Sequence, residues 1–155
     1  IGPDYPPQSP TKGPVITTQL VKSACCLPWP ATLKSETQKI IGYAWSPFGK
    51  IAEVEVSIDN GKTFRPAALV GPNIERAGTR WEFTFDAKPG NITITPRATD
   101  DQGNTQYDIS EQKWNQKGYL FGAMVPHPVT VLKHSCSHEA CADYSMLIPP
   151  ISGCC

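Results

Sequence analysis

The sequence predicts an all-β fold: an antiparallel β-sandwich of about seven strands with irregular N- and C-terminal tails. Three observations carry this. Short stretches alternate apolar and polar residues with a period of two, the mark of half-buried strands. Turn-forming clusters separate them at intervals of roughly 8 to 12 residues, the spacing of sandwich strands. Sixteen prolines and twelve glycines punctuate the 155 residues, and no segment holds the 3.6-residue periodicity of an amphipathic helix. Such a pattern is immunoglobulin-like in the broad sense.

Residues 1–14 are proline-rich and read as an extended lead or linker. Residues 15–132 hold the strand signals, and residues 133–155 form a Cys/His-containing tail. Val15 to Lys22 predicts a first edge strand. Cys25 to Pro30 is broken by Pro28 and Pro30 and predicts a loop. Ala52, Val54, Val56 and Ile58 alternate with Glu53, Glu55, Ser57 and Asp59, which predicts a strand with one buried face. Asn60-Gly61 follows, a favoured tight-hairpin pair because both residues accept positive φ. Phe64 to Leu69 is the returning strand. Trp81, Phe83 and Phe85 alternate with Arg80, Glu82 and Thr84, and Ile92, Ile94, Pro96 and Ala98 alternate with Thr93, Thr95, Arg97 and Thr99. Pro96 points to an edge or a bulge. Asp100 to Asn104 is a turn cluster, and Val129 to Leu132 closes the sheet.

Fourteen basic and fourteen acidic side chains give a formal net charge of zero, so no electrostatic argument supports a nucleic-acid or anionic-membrane partner. No apolar run approaches the roughly 18 residues of a membrane-spanning helix. The start at Ile1 without Met suggests a processed or excised polypeptide, with a signal or an upstream domain expected outside it. The six cysteines, Cys25, Cys26, Cys136, Cys141, Cys154 and Cys155, leave 15 pairings open. Two pairs are adjacent in sequence, where a disulfide is strained, so more distant partners are favoured. A periplasmic or otherwise exported setting is the expectation.

Candidate chemistry is thin. His134, Cys136, His138 and Cys141 are of metal-ligand type, but their spacing fits no standard zinc module and a tail explains them more simply. Cys25-Cys26 has no neighbouring base or cation to lower a thiol pKa, which favours a structural role. Asp100, Asp101 and Asn104 lack the ligand order of a calcium loop and read as a turn built on Asx chemistry. Asn91-Ile92-Thr93 is a formal glycosylation sequon. His127, between Pro126 and Pro128, has no nucleophile in sequence reach. No paired carboxylates, nucleophile elbow or phosphate-binding glycine loop is present. The chain alone reads as non-catalytic.

Four segments then act together: Gly42-Tyr43-Ala44-Trp45-Ser46, the run Ile51 to Phe64, Arg97-Ala98-Thr99-Asp100, and Trp114-Asn115-Gln116-Lys117-Gly118. In order and spacing they resemble the C-terminal domain of the sulfite oxidase family, over about Thr17 to Leu132. The resemblance implies a sandwich that dimerises in molybdenum-cofactor oxidoreductases. It also implies that molybdopterin and the metal-ligating cysteine belong to a preceding catalytic domain, so no cofactor site is expected in this chain. The expected partners are a second copy and that catalytic domain. One role carries over residue by residue. The family's Trp-Asn-x-Arg-Gly segment supplies an arginine to the anion pocket beside molybdenum, and Lys117 occupies that position here. Lysine keeps the charge but loses the planar fork that grips an oxyanion at two points. A sulfur oxyanion-type substrate fits that charge. The resemblance leaves Trp45 and Trp114 as packing residues, expected to fill the core or brace one end of the sandwich. The alternative reading is a free-standing binding or adhesion module, with Trp29, Phe48 and Tyr144 as its exposed aromatics.

Overall fold

The computed structural model describes residues 16–113 and 118–133. Nine strands form two sheets: β1 (Lys22–Cys25), β2 (Ala31–Lys34), β3 (Thr37–Trp45), β4 (Ile51–Ser57), β5 (Arg65–Pro66), β6 (Ala68–Val70), β7 (Thr79–Asp86), β8 (Gly90–Asp100) and β9 (His127–Leu132). Sheet one runs β1-β3-β7-β6 and sheet two runs β2-β9-β8-β4-β5. One 3₁₀ turn, Ile109–Glu111, is the helical element among the described residues. The sandwich is therefore as expected, with one exception to its antiparallel pairing: β2 lies parallel to β9.

The period-two patterns place the core. From sheet one, Ile40, Trp81, Phe83 and Phe85 point inward; from sheet two, Val54, Val56, Ile94, Ala98, Val129 and Val131 meet them. Each such large side chain removed from water contributes roughly 1.5–3 kcal/mol before ordering costs. Trp81 is fully buried and lies over Gly42, its pairing partner on β3. A methyl group at Gly42 would collide with the Trp81 ring and with the Ala24 carbonyl. The glycine is what lets the indole lie flat on the sheet.

Several expectations are corrected. The first strand begins only at Lys22, the last residue of the expected Val15 to Lys22 strand, because Ile16 to Gln19 are exposed and only from Val21 does the chain turn side chains into the core. Ala52 is exposed rather than inward, since a bulge between Ile51 and Glu53 shifts the register there. The returning strand after the hairpin splits. Arg65–Pro66 pairs with β4 in sheet two, whereas Ala68–Val70 pairs with β7 in sheet one. Ala67, donating its N–H to the Val54 carbonyl at 2.8 Å, is the crossing point. Trp45 is not a core residue: 37% of it is exposed on the outer face of β3.

Other expectations hold with detail added. Asn60 and Gly61 both adopt positive φ, 61° and 78°. The edge or bulge expected at Pro96 is a further correction: its strand is interior and Pro96 pairs in register with Val56, two residues past Ile94, the last β8 residue to pair with β9. On that side no neighbouring strand asks for the missing N–H. Val129 to Leu132 forms most of β9, and β2 adds one further strand outside it.

Candidate functional site

Where β9 stops pairing, Gln106 takes over its work. Both main-chain groups of Ala98 are met by this one residue: the Ala98 carbonyl accepts from the Gln106 N–H at 3.1 Å, and the Ala98 N–H donates to Gln106 Oε1 at 3.1 Å. Oε1 also accepts from the Ser23 hydroxyl at 2.5 Å, and Nε2 donates to the Ala123 carbonyl at 3.4 Å. Gln106 is buried, so its amide ties β1, β8 and the returning chain together away from water.

From this anchor a loop leaves and comes back. Tyr107 and Ala123 form an isolated parallel bridge, and Met124 N–H donates to the Tyr107 carbonyl at 2.8 Å. Asp108 caps the 3₁₀ turn: its Oδ1 accepts from the Ser110 N–H at 2.9 Å and from the Ser110 hydroxyl at 2.7 Å. Glu111 reaches back to the Asp108 N–H at 3.2 Å, which completes a capping box. The hydrogen bonds from Ser110 hold the Asp108 carboxyl below its ordinary value. Gln112 then closes the base. Its Oε1 accepts from the Tyr107 hydroxyl at 2.7 Å and from the Gly122 N–H at 3.3 Å. Residues 114–117 follow Lys113 and precede Gly118 in the sequence. Lys117, Trp114 and their neighbours lie outside the described residues, so what the structure gives is the frame that carries them. Leu20, Val21, Phe48, Tyr107 and Gly122 line a groove of about 230 Å³ at the same end. The chain entering the domain thus passes beside the base of this loop.

Of the remaining sequence candidates, Asp100 and His127 are engaged by the fold itself. Asp100 is buried and its carboxylate accepts from Ser46 Oγ at 2.6 Å, Gln102 N at 3.0 Å and Asn104 N at 2.8 Å. Burial alone would push this carboxyl up; the bonds from Ser46, Asn104 and Gln102 outweigh it and hold it below its ordinary value. The carboxylate is thus fully engaged by the turn itself, as Asx chemistry predicts. His127 is buried, and its Nε2 lies 2.7 Å from the Pro28 carbonyl. A carbonyl only accepts, so Nε2 carries the proton. The Trp29 ring stands edge-on to the imidazole at 4.6 Å, although 61% of Trp29 is exposed. Phe48 is also exposed; Tyr144 lies outside the described residues.

Burial, with a smaller contribution from the Cys26 thiol, pushes the Cys25 thiol up to about 12. Neither Cys25 nor Cys26 is disulfide-bonded to a described residue. His134, His138 and the other four cysteines lie outside the described residues. Among the described residues no group of three or more His, Cys, Asp or Glu side chains is arranged to hold a metal.

Residues 14–130 match the profile of the family described as the Mo-co oxidoreductase dimerisation domain. The chain belongs to that family. It is 34% identical to sulfite oxidase of Gallus gallus over 114 residues, covering 69% of this chain and 25% of the relative. With the mitochondrial sulfite oxidase of Rattus norvegicus it shares 33% identity over 118 residues, 71% of this chain and 22% of the relative. The chain therefore spans about a quarter of the length of the curated relatives it matches. The sulfane dehydrogenase SoxCD of Paracoccus pantotrophus has the same fold, with a TM-score of 0.64, 24% identity, and coverage of 74% of this chain and 33% of that one.

Within the dimerisation-domain family, the frame of the Lys117 loop is the part that sequence reading missed. Gln106 and Gln112 carry no motif. The Asp108-x-x-Glu111 spacing is a capping-box signature and was legible in principle.

Proposed function

We propose that this chain is the dimerisation domain of a sulfite oxidase-like molybdenum-cofactor oxidoreductase. We further propose that Lys117 contributes a cation to the anionic-substrate pocket of a separate catalytic domain. One observation carries the second part: Gln112 closes the base of the Lys117 loop beside the groove lined by Leu20, where the preceding chain arrives. A domain attached through that chain is tethered next to the loop. Molybdopterin, in this reading, is held by the catalytic domain, and the substrate is a sulfur oxyanion. The family match favours this over a free-standing adhesion module. The assigned setting is an exported compartment such as the periplasm, read out by cell fractionation.

The test is steady-state kinetics of the complete oxidoreductase with sulfite. A charge-assisted hydrogen bond to an oxyanion is worth about 1.5–3 kcal/mol, so Lys117→Ala is expected to lower kcat/KM by roughly 10- to 150-fold. Lys117→Arg restores the planar fork and is expected to retain or exceed the original value. Unchanged kcat/KM in Lys117→Ala refutes the role.

A further inference from the structure

We propose that Asn60 is a spontaneous modification site, converted to aspartate and isoaspartate by attack of the Gly61 main-chain nitrogen, and that the turn between β4 and β5 keeps the pair unreactive until it opens. This goes beyond the Lys117 reading and does not depend on it.

Asn60-Gly61 is the one Asn-Gly pair of the chain. Glycine carries no side chain to crowd its nitrogen, so the backbone can approach closely there. The Gly61 nitrogen bonds to Asn60 Cγ as the Cγ–Nδ2 bond breaks. The proton lost from that nitrogen goes to Nδ2, which departs as ammonia. Water then opens the cyclic imide at one of its two carbonyls. Addition at Cγ gives aspartate with the main chain intact. Addition at the Asn60 main-chain carbonyl gives isoaspartate, with the chain routed through Cβ. Nothing is oxidised or reduced, water is the co-reactant, and Asn60 and Gly61 are both exposed to it.

In the folded turn this attack is out of reach. The φ of 61° places Asn60 in the left-handed region, where ψ is about 30–60°. The Gly61 nitrogen then stands on the far side of the Cα–C bond from Cβ. Ring closure needs the two side by side, a rotation of roughly half a turn. Two hydrogen bonds resist that rotation. The Gly61 N–H donates to Ser57 Oγ at 2.9 Å, and the Thr93 hydroxyl of β8 donates to Asn60 Oδ1 at 2.6 Å. The first acceptor is itself held: Ser57 is buried, and its hydroxyl donates to Asp59 Oδ1 at 2.7 Å. Asp59 is fixed in turn by the Thr63 N–H at 2.9 Å and the Thr63 hydroxyl at 2.6 Å.

The turn is also placed where the sandwich opens most easily. It leads into β5, two exposed residues at the edge of sheet two that pair with β4 at Glu55 and Val56. Short, exposed pairings open at the low end of the range of local unfolding energies. Once converted, the turn does not return to its first state. Aspartate keeps an oxygen for Thr93 but sets a second carboxylate beside Asp59. Isoaspartate adds a carbon to the main chain between Asp59 and Gly61 and draws the Gly61 N–H off Ser57. Neither product regains the amide, so conversion at Asn60 records opening of the turn.

The test is peptide mapping by mass spectrometry of the chain incubated at mildly alkaline pH, folded and in guanidinium, with thermal unfolding to verify that each variant folds. The denatured chain is expected to accumulate both products at position 60, and the folded chain to do so about 10-fold more slowly or less. Ser57→Ala and Thr93→Val each remove one neutral hydrogen bond and are expected to speed conversion of the folded chain roughly 2- to 12-fold. Thr93→Val keeps the β-branched shape and alters a bond at the surface, so it carries the test if Ser57→Ala does not fold. Thr130→Val, which loses a bond to Asn91 instead, should leave the rate unchanged. A denatured chain that does not convert at Asn60 overturns the site. A folded chain that converts as fast as the denatured one, or folded variants at Ser57 and Thr93 that convert no faster than the wild type, overturns the closed turn.

Discussion

Replacing Gln106 by leucine asks how firmly the Lys117 loop is anchored. Leucine has nearly the shape of glutamine, so the substitution removes the amide and leaves little cavity. The Ser23 hydroxyl, which donates to Oε1 at 2.5 Å, loses its acceptor in a buried site. So does the Ala98 N–H, bonded to the same oxygen at 3.1 Å. A buried polar group left unpaired costs about 1–3 kcal/mol, so the two together predict a loss of about 2–6 kcal/mol. For a domain of this size that is a fall in Tm of roughly 10–20 °C. Denaturant unfolding of Gln106→Leu, Ser23→Ala and the double variant reads the coupling directly. Because Ser23→Ala removes one orphan, the double variant is expected to lose about 1–2 kcal/mol less than the sum of the singles. A loss below about 1 kcal/mol, or strict additivity, would refute the account of Gln106 as a shared buried acceptor.

Two further predictions concern the scaffold. Gly42→Ala forces a methyl into the Trp81 ring and the Ala24 carbonyl; overpacking of this kind costs about 1–3 kcal/mol or more, and a denaturation midpoint unchanged by the substitution would contradict it. Acid should destabilise the domain through carboxylates held low in the fold. Asp59, bonded by Thr63 and Ser57, Glu82, bonded by Lys39 and Arg80, and Asp100 all lie below their ordinary values. Their stabilising contributions are complete above the unfolded-state pKa of about 4 and are lost as pH falls through the lower folded-state values. Tm measured from pH 7 downward is expected to drop below about pH 5, and Asp100→Asn to blunt the buried share of that slope; a flat profile to pH 3 contradicts both.

What the sequence made legible follows from how local the cause was. β7 declares itself because it alternates strictly and buries Trp81, Phe83 and Phe85, and β4 and β8 because their large apolar residues recur at every second position, although a bulge breaks the pattern at Ala52. The Asn60-Gly61 turn is legible because positive φ at two successive residues is a local property. β3 escapes the same reading. Its inner face is small because Trp81 comes from a strand some forty residues later, and no periodicity within β3 contains that information. The same displacement sends Trp45 outward. β2 is a four-residue strand after two prolines, and its parallel partner in β9, Val129 for Ala31, lies far along the chain. The exchange of sheets at Ala67 is decided by which neighbours are within reach once both sheets exist. At the site, the capping box at Asp108 is a sequence pattern, whereas Gln106 and Gln112 acquire meaning only from the backbone groups that tertiary contacts bring to them.

The crossing at Ala67 has a mechanical consequence. Because β5 and β6 are consecutive yet lie in opposite sheets, one flank of the sandwich is stitched by the main chain itself. Sliding one sheet over the other would have to stretch that stitch and break the Ala67–Val54 bond, so the stack resists shear where an unstitched flank would yield. Shear along the strands is therefore opposed at this flank by the covalent chain as well as by the packing of side chains between the layers.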